Sequence, residues 1–234
     1  MGAAAVPNDR QPEYVLLHGT TQSAEGYQRL TRALSRRGKE AVAVQLPADQ
    51  PQWVAEDYAE FVAGRLEHVN RPVVVGHSGA GLLLPALARR LDARRVVWLA
   101  AYVPTQGASL LDELRTDPER LFNPEWLTAD PTEDPAAAAY FLFHDCDSET
   151  LTWALRTVQR FDPRAAYSGV FTDDGRQRAP STYVVCRQDR TLRPDWQHMA
   201  AATRLDGAEV IELHCGHAPH VSQPEELADL LARQ

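Results

Sequence analysis

Six short apolar runs rich in β-branched residues recur along the chain, each separated from the next by a longer stretch. Runs that are apolar at successive positions are typical of strands buried on both faces of a parallel sheet. The pattern therefore predicts six strands: Tyr14–His18, Ala41–Val44, Val73–Val75, Val96–Ala101, Tyr183–Val185 and Val210–Ile211.

The stretches between these runs carry apolar residues at helical spacing. Tyr27, Leu30 and Leu34 share one helix face, and Gly38 stands where a C-terminal cap is expected. Further helices are predicted over three apolar faces: Val54–Val62, Leu82–Leu91 and Leu227–Leu231. Alternating strands and helices predict an α/β fold built on a doubly wound, mostly parallel six-stranded sheet.

Residues 104–180 interrupt this alternation, because no strand-like run occurs among them. Helical patterns lie around Leu110–Leu114 and Thr150–Val158, and Asp173–Gly175 predicts a turn. The segment is far longer than an ordinary connection between a helix and a strand. We therefore expect an inserted, mainly helical cap at 104–180 on an α/β core formed by 1–103 and 181–234.

Composition narrows the classes of partner. The 234 residues are 44% hydrophobic, which is enough to bury a sizeable core, and 32 acidic against 24 basic residues give a net charge of −8. That balance disfavours binding to nucleic acid or to an anionic membrane. Met1–Pro7 lacks the cationic start of a secretory signal, and the three cysteines contain no CxxC pair. We therefore expect a cytoplasmic protein.

The stretch Pro72–Gly81 is the most informative about function. A predicted strand leads through Gly76-His-Ser78-Gly-Ala80 directly into a helix. Such a turn holds a serine in a strained conformation and exposes its Oγ at the carboxyl edge of the sheet, with small residues two positions away on either side. Ala80 stands where Gly is usual. Ser78 is the candidate nucleophile, and a glycine-rich turn with a capping serine is the simpler alternative.

Two backbone amides are candidates for stabilising negative charge beside Ser78. The Gly79 amide lies at a predicted helix N-terminus, where the dipole favours an anion. His18-Gly-Thr20 follows the first predicted strand, the place of a second oxyanion donor in enzymes with this serine turn. Gly19 would let the chain turn so that the Thr20 amide faces the same space. Taken alone, this second stretch indicates only a turn after a strand.

A serine hydroxyl needs a base, and the base needs a third group to orient it. In the chain order serine, acid, histidine, Asp189 is the candidate acid because it follows the predicted strand Thr182–Cys186. Pro194 and Asp195 predict the start of the next helix, which leaves Asp189 free of a capping role. The preceding strand, which ends near Tyr102, is followed by no carboxylate.

Three histidines, His214, His217 and His220, follow the last predicted strand. We prefer His217 as the base because it follows Gly216 on a loop, and His220 remains an alternative. Their spacing also resembles a metal site. Pro219 disfavours a continuous helix there, and no carboxylate or cysteine pair with ligand spacing accompanies the histidines, so we expect no metal.

These motifs together resemble the α/β-hydrolase superfamily and, within it, the branch of hydroxynitrile lyases and methyl esterases. The resemblance covers the chain from Tyr14 to its end and rests on five stretches: Tyr14–Gly19, Val73–Ser78, the cap segment Tyr140–Asp147, Asp189 and His217–Ala228. It implies an enzyme without a cofactor. It also implies that Ser78, Asp189 and His217 form a catalytic triad, while the amides of Thr20 and Gly79 bind the oxyanion.

The same branch contains esterases and lyases. Some of its lyases carry Thr at the position of Gly19 and Lys at that of Ala218, so this chain favours a serine esterase. We expect a small apolar or aromatic ester as substrate, in a pocket lined by aromatic side chains of the cap. A lyase or cyclase that acts on C–C bonds and a non-catalytic ligand receptor are the alternatives. A homodimer is a further hypothesis.

Overall fold

A computed structural model describes residues 11–66, 69–172 and 179–234. The stretch Met1–Pro7 and the turn predicted at Asp173–Gly175 lie outside these ranges. Each of the six predicted strands is present: β1 Tyr14–Leu17, β2 Ala41–Val44, β3 Val73–His77, β4 Arg95–Leu99, β5 Ser181–Cys186 and β6 Glu209–Leu213. They form one sheet in the order β2-β1-β3-β4-β5-β6, and every pairing is parallel. The predicted α/β fold class is confirmed.

Helices connect the strands and cover both faces of the sheet. In chain order the α-helices of the described residues are α1 Gln28–Arg36, α2 Ala55–Ala63, α3 Leu84–Arg90, α4 Leu110–Thr116, α5 Pro118–Leu121, α6 Pro135–Leu142, α7 Ser148–Ala154, α8 Arg164–Ser168, α9 Pro194–Arg204, α10 Pro219–Ser222 and α11 Pro224–Leu231. Gly38 has a φ of +70° and ends α1 as predicted. The helix predicted over Leu82–Leu91 begins differently, because a 3-10 segment, Ser78–Leu83, precedes α3.

Successive residues of the central strands pack into two separate apolar layers. In β1, Val15 lies in a layer with Tyr58 of α2, whereas its neighbour Leu16 lies in a layer with Leu30 of α1. Because side chains alternate between the faces of a strand, both sets must be apolar when both faces are covered. This explains the uninterrupted apolar runs from which the strands were predicted.

The region predicted to be a cap contains helices at both places where the sequence has helical patterns. Helices α4 to α8 lie within it, and α7 begins close to the helix predicted at Thr150. Phe143 and Ala154 of this region share an apolar cluster with Ala218 and Val221 from the C-terminal part of the chain. The division into a core of 1–103 and 181–234 and a cap of 104–180 stays a prediction. No helix in the described ranges is long and apolar enough to span a membrane.

The order of the strands identifies where a ligand site is expected. The chain runs from β1 outward to β2 and then returns to β3 on the other side of β1. In open α/β sheets, ligands bind at such a switch point, outside the carboxyl ends of the strands. Thr20 follows β1 and Ser78 follows β3, so these two candidates lie on either side of the switch point.

Candidate active site

Ser78 follows β3 directly and is the first residue of the 3-10 segment Ser78–Leu83. Its φ is +54°, in the left-handed region that side chains rarely adopt. A residue held in that region costs about 1–3 kcal/mol, and such strain clusters at functional sites. The strained serine that the sequence motif predicts is therefore present at the carboxyl end of a central strand.

Two glycines allow the strand and helix to approach around Ser78. A Cβ atom on Gly76 would lie 2.7 Å from the Leu84 side chain. A Cβ atom on Gly81 would lie 1.8 Å from the backbone oxygen of Tyr102, which leaves no room for any side chain. The closer of these two approaches is therefore at Gly81, one position after Ala80, and it is made to the backbone that follows β4.

The candidate oxyanion residues Thr20 and Gly79 lie against each other. A Cβ atom on Gly79 would lie 2.5 Å from Thr20 Cγ2, and one on Gly19 would lie 2.8 Å from Ser78 Cβ. The turn after β1 is thus packed against both Ser78 and its successor. Gly79 is in the first turn of the 3-10 segment, where backbone N–H groups have no acceptor within the helix.

Asp189 follows β5 and is held by three donors besides its histidine partner. Its Oδ1 accepts hydrogen bonds from the amides of Thr191 (2.7 Å) and Leu192 (3.1 Å). Its Oδ2 accepts a hydrogen bond from Gln197 Nε2 at 2.8 Å. Donors on both oxygens fix the orientation of the carboxylate.

His217 donates from Nδ1 to Asp189 Oδ2 at 2.7 Å, with the two side chains 1% and 0% exposed. The residue before the serine completes the connection, because His77 Nε2 donates to the His217 carbonyl at 2.8 Å. The structure therefore brings Asp189 and His217 into direct contact and brings His217 against the neighbour of Ser78. The Ser78 hydroxyl makes no hydrogen bond to another described residue, and catalytic hydrogen bonds often tighten only when substrate binds.

The other two histidines of the C-terminal loop have different surroundings. His214 is exposed and contacts the side chain of Gln188. His220 is 1% exposed and stacks on Tyr27, with ring centroids 4.5 Å apart. Burial lowers the pKa of His220 to about 3, and neither ring nitrogen has a hydrogen-bond partner among the described residues. Within the described ranges, no carboxylate is hydrogen-bonded to His220.

A small polar cluster surrounds Gly26 beside His220. The point where a Gly26 Cβ would stand lies 3.6 Å from Gln22 Nε2, 3.6 Å from Thr157 Oγ1 and 3.7 Å from His220 Nε2. The Gln22 side chain is fully buried, and both of its polar atoms lack a partner within the described part of the chain. Four polar atoms of Gln22 and His220 are thus buried without the hydrogen bonds that such atoms usually make.

His18 fixes the turn that leads to Thr20. Its Nε2 accepts a hydrogen bond from the Leu46 amide at 3.0 Å, and its Nδ1 donates to the Gly19 carbonyl at 2.9 Å. Burial lowers the pKa of His18 to about 4. The pKa of His77 is also lowered, by burial first and then by the nearby His217 and His220. Both rings are therefore neutral near pH 7.

A segment of the predicted cap pairs with the turn after β1. The Phe161 amide donates to the Thr20 carbonyl at 2.8 Å, and the Ser23 amide donates to the Thr157 carbonyl at 2.9 Å. Between these two bonds, Gln22 and Val158 form an antiparallel bridge. The backbone on which the Thr20 amide lies is thus hydrogen-bonded to residues 157–161.

Three aromatic side chains of residues 104–180 pack on one another, whereas Phe161 packs on His18 and Tyr58 outside this region. Trp126 meets Phe141 edge to face at 5.4 Å, and Tyr140 meets Phe141 at 4.8 Å. Phe143 is fully buried. Phe141 and Phe143 belong to the buried apolar cluster of this region, and Tyr140 is exposed. The substrate pocket lined by aromatic residues of this region stays a prediction.

The sequence analysis missed Gln197. This residue is fully buried in α9, and besides its bond to Asp189 it donates to the Leu192 carbonyl at 2.8 Å and accepts from the Cys186 amide at 3.0 Å. It joins the end of β5 to the loop that carries the acid. Its sequence signal was a glutamine between Trp196 and Ala200, on the apolar face of the helix that follows Asp189.

No group of three or more His, Cys, Asp or Glu side chains able to hold a metal ion occurs in the ranges 11–66, 69–172 and 179–234. The spacing of His214, His217 and His220 thus does not gather the three rings around one point. His217 and His220 are buried and both pack against the His77 ring, whereas His214 is exposed.

Comparison with known proteins gives one family match over most of the chain. Residues 14–230 match the Alpha/beta hydrolase family. The Alpha/beta hydrolase nvfD of Aspergillus novofumigatus (strain IBT 16806) is 26% identical over 240 residues, which cover 92% of this chain and 93% of that protein. The Probable esterase PIR7A of Oryza sativa is 25% identical over 260 residues, covering 96% and 97% of the two chains.

A similar fold occurs among solved structures. The crystal structure of polyneuridine aldehyde esterase superimposes with a TM-score of 0.79 at 21% identity, covering 96% of this chain and 99% of that one. At this identity the likeness concerns the fold alone. Each of these alignments covers at least 92% of both chains.

Proposed function

Because the chain belongs to the alpha/beta hydrolase family, as its motifs predicted, we propose that it is a serine esterase of small carboxylic esters. Two of the proteins to which this chain is similar are named as esterases: Probable esterase PIR7A and polyneuridine aldehyde esterase. The observation that carries the proposal is the buried 2.7 Å bond between His217 and Asp189, beside the strained Ser78.

The proposed first step is acylation of Ser78. The Ser78 oxygen attacks the ester carbonyl carbon while His217 Nε2 takes the hydroxyl proton. Asp189 holds the imidazole in the required tautomer and stabilises its charged form. The carbonyl oxygen becomes an oxyanion that the Thr20 and Gly79 amides bind, each contributing about 3 kcal/mol to lowering the barrier. His217 then gives its proton to the leaving alcohol.

The second proposed step is hydrolysis of the acyl-enzyme. Water attacks the acyl carbon as His217 takes its proton, the carbonyl oxygen again occupies the oxyanion site, and collapse releases the acid and returns the proton to Ser78. The residues proposed for these steps need no cofactor. We also propose that the substrate is an apolar or aromatic small molecule, bound in a pocket lined by aromatic side chains of residues 104–180. The net charge of −8 disfavours nucleic acid or an anionic membrane as a partner. The free thiols of all three cysteines support a cytoplasmic location.

The test is hydrolysis of p-nitrophenyl esters from acetate to octanoate by the wild type, Ser78→Ala and the control Ser35→Ala, which alters an exposed helix residue. We expect Ser78→Ala to lower kcat by about 10⁴-fold or more, without lowering the melting temperature. The control should match the wild type. Full activity of Ser78→Ala would contradict the proposal. Cleavage of a hydroxynitrile without any ester turnover would support the lyase instead, and ligand binding without turnover would support a receptor.

A further inference from the structure

Two consecutive residues of the predicted cap contact the two loops that carry Asp189 and His217. His144 Nε2 donates to the carbonyl of Gln188 at 2.9 Å, and Asp145 Oδ2 accepts from the amide of Gly216 at 2.7 Å. Gln188 immediately precedes Asp189, and Gly216 immediately precedes His217. A single dipeptide therefore holds the backbone next to each member of the acid–base pair.

The contact at Gly216 is close and specific. A Cβ atom on Gly216 would lie 2.7 Å from Asp145 Oδ1 and 2.9 Å from His144 Nε2, so a side chain at this position would displace the side chains of the dipeptide. Asp145 Oδ2 also accepts from Ser222 Oγ at 2.8 Å, on the far side of His217 in the sequence. The carboxylate thereby bridges both ends of the segment 216–222, which contains His217.

The loops need such support because of where they leave the sheet. The base loop begins at β6, an edge strand that pairs with β5 on one side only and whose residues are largely exposed. The two loops bond to each other through the Gln188 amide and the Cys215 carbonyl, at 2.9 Å. The base loop is also held through the carbonyl of His217, by His77, and through the amide of Gly216, by Asp145.

We propose that His144 and Asp145 are positioning residues that set the distance and angle between Asp189 and His217. The inference rests on the proposed function, in which that pair activates Ser78. Loss of the Asp145 carboxylate frees the Gly216 amide and the Ser222 hydroxyl, and the His217 ring moves relative to Asp189. A displacement of about 1 Å at a catalytic group can lower the rate by about 10²-fold.

The experiment compares Asp145→Ala and Asp145→Asn with the control Asp147→Ala. Asp147 is exposed, two residues further on, and caps α7 through the Thr150 amide without touching either loop. For Asp145→Ala we expect kcat on the best p-nitrophenyl ester to fall by about 10- to 100-fold, with KM within about threefold of wild type. Asp145→Asn should retain an intermediate kcat, since its amide oxygen still accepts one bond. The control should keep the wild-type kcat.

A second readout does not depend on turnover. The hydrogen-bonded Nδ1 proton of His217 gives a far-downfield proton NMR signal, which should shift or broaden in Asp145→Ala but not in Asp147→Ala. An unchanged signal together with an unchanged kcat in Asp145→Ala would overturn the proposal. Equal losses in both alanine variants, in parallel with their melting temperatures, would also overturn it. If the wild type hydrolyses no ester, the proposed function fails, and the NMR signal alone decides whether Asp145 positions His217.

Discussion

His217 and His220 lie three residues apart and are equally buried, but their ring nitrogens differ in their hydrogen-bond partners. His217 donates to a carboxylate that three further donors hold in place. His220 stacks on Tyr27 and meets His77 edge to face, and neither of its ring nitrogens has a hydrogen-bond partner among the described residues. Burial alone therefore does not distinguish a base from a histidine of the interior. The distinguishing feature is an oriented carboxylate, because it fixes one tautomer and stabilises the protonated ring.

Removing each ring should give the largest contrast. We predict that His217→Ala lowers kcat for ester hydrolysis by about 10⁴- to 10⁶-fold, because Ser78 loses its base. His220→Leu should leave kcat within about threefold of wild type, because the ring makes no polar contact with the pair. Steady-state kinetics on one p-nitrophenyl ester measures both, with His214→Ala, an exposed residue of the same loop, as the control. A larger loss in His220→Leu than in His217→Ala would reverse the assignment.

The carboxylate side of the comparison is tested by Asp189→Asn. The amide keeps the shape of the side chain but offers a donor towards Nδ1, which favours the tautomer in which Nε2 carries the proton and cannot act as base. We predict a loss of about 10⁴-fold in kcat with little change in KM. Asp195→Asn, an exposed acid on the next helix, is the matched control. Wild-type turnover by Asp189→Asn would show that His217 needs no carboxylate.

The smallest expected effect concerns the stability of the folded protein in acid, to which the His220 ring contributes. The folded pKa of His220 is about 3, below the ordinary 6.5, so between these pH values the unfolded chain binds a proton that the folded chain does not. The free energy of unfolding therefore falls as the pH falls from 6.5 towards 3, by up to about 1.4 kcal/mol per pH unit from this group. Urea unfolding across this range should give a flatter pH dependence for His220→Leu than for wild type. His18 and His77, whose pKa values are also lowered, will retain part of the slope.

The control for that measurement is His214→Leu, which replaces an exposed ring of the same loop by the same residue. Equal slopes for wild type and His220→Leu would mean that His220 binds a proton as readily in the folded protein as in the unfolded chain. It would then need a partner that accepts its proton, and the contrast between the two histidines would no longer hold.

The sequence predicted the fold and the serine turn because both have local signatures. Strands buried on both faces leave uninterrupted apolar runs, and the turn at Ser78 requires small residues at fixed offsets. Asp189 and His217 could be predicted from the sequence for a related reason, since the carboxyl ends of parallel strands meet at one edge of the sheet. Their roles in a reaction stay a proposal.

The remaining features depend on contacts between distant parts of the chain. Gly81 approaches Tyr102, and Asp145 approaches Gly216 across 71 positions of sequence. Neither contact produces a periodic pattern in the sequence. The sequence could not predict either that the ring nitrogens of His220 lack a hydrogen-bond partner among the described residues. The residues between His217 and His220 do not indicate which of the two rings meets a carboxylate.

The central claim, that His217 activates Ser78, is tested most directly by reaction with a fluorophosphonate. The serine oxygen displaces fluoride from phosphorus, and the serine proton passes to the base. Intact mass and peptide mapping should show one adduct on Ser78, formed at the wild-type rate in His220→Leu, far more slowly in His217→Ala, and absent in Ser78→Ala. An adduct on another residue, or an unchanged rate in His217→Ala, would contradict the claim.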